Sequence, residues 1–197
     1  MKVIIKYYPM IHLLVPAIES FPNEYYGIIF GDKTSKSSGN ERFIPEIVLP
    51  SLTAKRYKLG VGYDLETDSF IAGIVSLLCD SKHIGDFHSH TVVAKKTIGK
   101  LDSVLETLEE RIQFSSEDYD LMEKNRNMLY LITGLLKNNK YFAPQITESG
   151  NLFGTIDGFN FMIAGYVWNS KQHKFNNARI ECSYVTGMRG MRKPALS

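Results

Sequence analysis

Residues 85–90 read Gly-Asp-Phe-His-Ser-His, where His88 and His90 are the only two of the five histidines that lie close in sequence. Side chains two apart on a strand point to the same face. On a strand, these two imidazoles stand side by side, which suits a divalent metal, zinc being the common occupant of imidazole and carboxylate sites. The bland alternative is a pair of ordinary strand histidines. A catalytic zinc needs a third protein ligand and a fourth position open to water. Residues 114–120, Phe-Ser-Ser-Glu-Asp-Tyr-Asp, offer one at the start of an expected helix. Ser115 takes the N-cap there, and the acids of the first turn complement the helix dipole. A capped first turn is rigid enough to present Asp118 as a ligand; Asp120 is its neighbour, and only the S-x-x-D spacing selects Asp118. Glu24, at the start of an apolar strand, reads by itself as an exposed strand-end acid. Asp86 shares a strand face with His88 and reads either as solvent-facing or as an acid that orients His88.

Positioning these residues requires a framework of alternating strands and helices. Apolar patterning predicts strands over 2–8, 25–30, 42–49, 52–63, 84–90, 128–136, 160–168 and 178–185. Pro45 puts the 42–49 strand at an edge or gives it a bulge. A short helix ends near Ser20 with Pro16 in its first turn. A second helix, capped by Thr67 or Asp68, runs to about Asp80. Its apolar face is Phe70, Ile71, Ile74, Val75, Leu77 and Leu78, and Cys79 is buried in it. Further helices span 101–112, which is amphipathic, and 117–126. Residues 31–40 read as a flexible loop and 187–197 as a basic flexible tail. The expected fold class is α/β (α+β): a mixed curved sheet flanked by helices in one domain, residues 1–186.

Composition narrows the function classes. With 197 residues there is room for one domain. The 23 basic and 21 acidic residues leave a net charge of +2, which offers no argument for nucleic-acid binding. No apolar run approaches the roughly 18 residues of a membrane-spanning helix. Lys6 and His12 interrupt the apolar N-terminus, against a signal peptide. Two cysteines, Cys79 and Cys182, build neither a disulfide framework nor a four-thiolate metal site, so a reduced, cytoplasmic setting is expected.

Taken together, Glu24-x-x-Gly27, His88-Ser89-His90 and Ser115-x-x-Asp118 resemble the JAMM motif of the MPN (Mov34, JAB) domain family of zinc-dependent isopeptidases. The likeness extends to PNEYYGIIFG, IGDFHSH, SSEDYDLMEK with MLYLITGLL, and FNFMIAGYVW with ARIECSYV, about residues 1–186. It implies an MPN-type domain with one zinc per chain, held by His88, His90 and Asp118. It implies Glu24 as general base and Ser115 as donor to the oxyanion. The implied substrate is a peptide or isopeptide bond at the C-terminus of a ubiquitin-like or sulfur-carrier-like protein, with no nucleic acid or membrane involved and a homodimer or protein partner possible. Two departures stand out. The family places seven residues between the second His and the Ser; here Thr91 to Phe114 makes 24. Thr91 and Phe114 also stand where the family often has Pro. The helical insertion, about 91–114, is expected to act as a substrate lid or to be a neutral surface decoration. Two other readings compete. Asp86-x-His88-x-His90-Thr91 also looks like the opening motif of PHP-type phosphoesterases, whose sites gather two or three metals. A non-catalytic MPN scaffold is the other.

Overall fold

The computed structural model describes residues 1–34, 41–51, 55–57, 60–62, 65–94, 96–124, 128–169, 171–183 and 185. In chain order the elements are β1 (Lys2–Ile4), α1 (Tyr7–Ser20), β2 (Tyr26–Thr34), β3 (Arg42–Pro50), β4 (Lys55–Tyr57), β5 (Gly60–Gly62) and α2 (Leu65–Cys79). There follow β6 (Lys82–Val92), α3 (Leu101–Arg111), α4 (Ser116–Lys124), β7 (Leu129–Lys137), β8 (Gln145–Ile146), β9 (Leu152–Ile156), β10 (Phe159–Asn169) and β11 (Lys174–Glu181). The 187–197 tail, residues 35–40 of the expected loop and parts of the 52–63 strand lie outside the described residues; β4 and β5 pair as a hairpin.

Strand residues alternate between two apolar environments, and that alternation organises the molecule. On β7, Leu129, Leu131 and Leu135 join one core, while Tyr130, Ile132 and Leu136 join another; β10 splits the same way, with Ile163 and Val167 against Met162 and Tyr166. The first core draws residues from β1, β2, β3, β6, β7, β10 and β11 and includes Met10, Leu13, Leu14 and Ala17 of α1. The second lies on the opposite face, where Val104, Leu108 and Ile112 cover β7 and β10.

The expected MPN-type sheet flanked by helices is not the fold observed. Strands run in the order β11-β1-β3-β2-β6-β7-β10, and β10 pairs back onto β11, giving a closed seven-strand mixed barrel with few helices. Closure has a local cause. On the edge of β10 away from β7, residues 159–163 pair with β9 and residues 165–169 with β11. β11 then takes the short β1 in parallel, and β1 takes β3 in parallel. A three-residue N-terminal strand joining the two ends of the sheet carries no periodicity of its own. The first core is therefore the barrel interior, with α1 packed into it.

Smaller differences have equally local reasons. The first strand stops at Ile4 rather than Tyr8. α1 starts at Tyr7, so Pro9 occupies its first turn, where an N–H is not needed, and Pro16 lies inside the helix. Pro45 sits at a bulge, where the register between β2 and β3 shifts at Phe30/Gly31. Cys79 is exposed, not buried. The strands β8 and β9 were not expected from patterning; β11 begins at Lys174, ahead of the expected 178.

Candidate metal centre

His88 and His90 lie on β6, with Phe87 turned into the barrel core and the imidazoles on the outer face. The loop before β2 is clamped to the inner-face residues of the same strand. The backbone N–H of Tyr25 donates to Ser89 Oγ at 3.0 Å, Ser89 N–H donates to the Tyr25 carbonyl at 2.7 Å, and Thr91 Oγ1 donates to the Pro22 carbonyl at 2.7 Å. Glu24 is thereby fixed between two clamped points. It is buried rather than an exposed strand-end acid, and its charge favours the protonated form of His90. Thr91 thus has a positioning use, and the residue between the two histidines is the one that secures the Glu24 loop. Gly27 permits the same close approach: a Cβ there would lie 2.4 Å from the Phe87 ring.

Asp118 comes from the first turn of α4 through a reciprocal cap. Its N–H donates to Ser115 Oγ at 3.1 Å, and Ser115 N–H donates to Asp118 Oδ2 at 2.9 Å. This is the capping-box pattern with Asp in the place of Glu. The cap and the candidate ligand are therefore the same device: satisfying the helix N-terminus is what fixes the carboxylate. Asp118 is buried and Asp120 exposed, which decides between the two acids. Phe114, before the cap, stacks on Tyr166 with ring centroids 4.2 Å apart and meets Phe175 at 5.8 Å.

The three groups converge. His88 Nε2 lies 3.1 Å from His90 Nε2 and 3.3 Å from Asp118 Oδ1, and His90 Nε2 lies 3.4 Å from Asp118 Oδ2. Among the described residues they form a group able to hold a metal ion. His90 Nδ1 faces the carbonyl of Arg111, the last residue of α3, in a short contact. A carbonyl only accepts, so Nδ1 carries the hydrogen, and the neutral ring presents its Nε2 lone pair to the cluster. Lone pairs and a carboxylate facing one another at these distances repel unless a proton or cation lies between them.

The protonation directions follow from that crowding. Burial pushes His88 below the usual histidine value, against the pull of Asp118. Burial also opposes protonation of His90, but Asp118, the Arg111 carbonyl and Glu24 outweigh it and raise its value. Burial would raise Asp118; hydrogen bonds with His88 and His90 outweigh it and hold the carboxyl far below the usual range.

Asp86 is buried and takes a hydrogen bond from His83 Nε2 at 3.0 Å, so it is not a solvent-facing acid. Ser115 is exposed at the rim. Its Oγ accepts the Asp118 N–H, which leaves its own hydrogen free to donate. Sequence reading missed Ser89 and Thr91 as clamps, and Tyr166, whose phenol donates to the Ile112 carbonyl at 2.8 Å. Burial pushes that phenol up to about 12, so it remains a donor at neutral pH. The S-T pattern around the histidines was the available signal for the clamps; Tyr166 carried no such signal.

Within the inserted segment, α3 packs against the body of the molecule. Val104 and Leu108 of α3, with Ile112 just after it, are fully or almost fully buried against β7 and β10, and the helix ends on His90. No family model matches the chain, and no curated protein matches it. A solved structure it resembles is the solution structure of protein DSY2949 from Desulfitobacterium hafniense, a structural-genomics target. Identity is 15%, coverage 91% of this chain and 92% of that one, and the TM-score 0.56. At that identity the likeness concerns the fold alone. Among the described residues, no helix is long and apolar enough to cross a membrane.

Proposed function

We propose that the chain is a zinc-dependent amide hydrolase using the JAMM arrangement of residues. The observation that carries the proposal is the convergence of His88, His90 and Asp118 beside the buried Glu24. The donor set fits zinc: two imidazoles and one carboxylate are the three protein ligands of a known class of catalytic site. Ligands about 2.0–2.1 Å from a tetrahedral zinc lie about 3.3 Å apart, close to the 3.1–3.4 Å separations of these donors. Asp118 Oδ2 already accepts from Ser115, which leaves Oδ1 for the ion.

Bound zinc would polarise a carbonyl and bring the pKa of water down to about 7. Glu24 takes the proton from the attacking water and passes it to the leaving nitrogen as the C–N bond breaks. Ser115 donates its hydroxyl hydrogen to the developing oxyanion. The substrate is a peptide or isopeptide bond at the C-terminus of a ubiquitin-like or small modifier protein. That choice comes from the resemblance in motif order.

The test is metal analysis of the purified chain followed by assay on a ubiquitin-like protein carrying a fluorogenic C-terminal amide. One zinc per chain is expected, with activity lost to a chelator and restored by zinc. Glu24→Gln should keep the zinc and lose about 10²–10⁴-fold in turnover. Full activity in that variant, or none in the zinc-loaded native chain, would overturn the assignment. Two or three metals per chain would instead favour a phosphoesterase.

A further inference from the structure

The last carbonyls of a helix have no partner within it. At the end of α3, two of them are capped from the barrel: Arg111 by His90 Nδ1, and Ile112 by the phenol of Tyr166. Three residues further on, Ser115 opens α4 and locks Asp118. Between these points lies Phe114, whose ring rests on that of Tyr166. One tyrosine on β10 therefore holds both sides of the turn from which His90 is braced and Asp118 is aimed. Gly134, opposite His90 in the β6–β7 register, leaves the space for this docking: a Cβ there would sit 3.2 Å from Ile112 and 3.4 Å from Leu108.

We propose that Tyr166 is a positioning residue of the metal centre, and that the inserted helix α3 is its outer brace, coupled to the ion through the Arg111 carbonyl and His90. The proposal rests on the zinc assignment above. An acceptor that fixes the second ring N–H of a ligand histidine is worth roughly 10–100-fold in metal affinity. Here the brace is a backbone carbonyl, so it acts only while its helix stays docked. Coupling is reciprocal: if docking favours the ion, the ion must favour docking.

Tyr166→Phe keeps the ring on Phe114 and deletes only the hydrogen bond to Ile112. Zinc affinity would be read by chelator competition on the full chain, and site geometry by the visible spectrum of the cobalt-substituted protein. Tyr166→Phe is expected to melt cooperatively, bind zinc about 10–100-fold more weakly, and show a shifted cobalt spectrum. Hydrogen exchange on the native chain gives a second readout: zinc should slow the amides of residues 108–118 and leave those of α2 unchanged. Native zinc affinity and an unshifted spectrum in a folded Tyr166→Phe would overturn the proposal. If that variant does not fold, native exchange decides, and 108–118 amides indifferent to zinc overturn it. A native chain that takes up no zinc at all would sink the metal centre itself, a separately recognisable outcome.

Discussion

α2 and α3 both show an apolar stripe in sequence, and the molecule uses them in opposite ways. In α3 the stripe is covered: Leu108 is 0% exposed, and the helix ends against a candidate metal ligand. In α2, Phe70, Leu77 and Leu78 face outward, Leu77 at 84% exposure. Amphipathic spacing states that a helix has a face; it does not state whether anything covers it. The difference lies in the receiving surface. β7 and β10 offer α3 an apolar bed with Gly134 as a recess, whereas no α2 residue joins either apolar core among the described residues.

This contrast can be broken by mutation. Leu108→Ala should have the largest effect, about 2–5 kcal/mol of stability read by denaturant unfolding, together with weaker zinc binding. A stability loss with unchanged metal affinity would detach α3 from the centre. A pH series sharpens the same point. His90 has its value raised above 6.5 by contacts that include the Arg111 carbonyl, and a metal must displace that proton. Zinc affinity should therefore fall as pH is lowered through the raised value, by about tenfold per unit below it (roughly 1.4 kcal/mol). His88, shifted the other way, is already neutral there. Competition titrations between pH 8 and pH 6 would check the slope; a flat profile would count against His90 as a ligand.

Metal-free stability contains opposed contributions. Asp118, depressed in the folded state, stabilises above its unfolded value near 3.9 and loses that contribution as pH falls toward its folded value. His90, raised, contributes fully below 6.5 and loses it as pH rises through its folded value.

Ser115→Ala removes the α4 cap and should lower stability by about 1 kcal/mol, seen in the melting temperature. It should also lower turnover through loss of the oxyanion donor. The smallest effect is expected in α2, where Leu77→Ala should stay within about 0.5 kcal/mol of the native chain. A loss there as large as that of Leu108→Ala would mean that the α2 face is covered in solution.

How much of this was legible beforehand depends on sequence distance. His88 and His90 were legible as a same-face pair and Asp118 as a first-turn acid, because strand period and helix cap are local rules. Glu24 and the donor role of Ser115 came only from the resemblance in motif order, Glu24 by itself reading as an exposed strand-end acid. The S-x-x-D segment read as a cap and as a ligand source; it is built as a cap, and that cap fixes the Asp118 carboxylate beside the two imidazoles. The docking of the insertion was not legible, because periodicity shows the apolar stripe of 101–112 but not the bed that receives it. Tyr166 was invisible for the same reason, since a phenol reaching a carbonyl 54 residues away leaves no mark in either segment.

The chain by itself determined which side chains could act and how each sits on its own strand or helix, because those constraints operate within a few residues. Only the tertiary structure decided that β10 closes onto β11, that β1 joins the barrel's two ends, and that α3 ends on His90. Such pairings depend on surfaces meeting over long sequence separations, where burial and hydrogen-bond satisfaction are settled jointly by both partners.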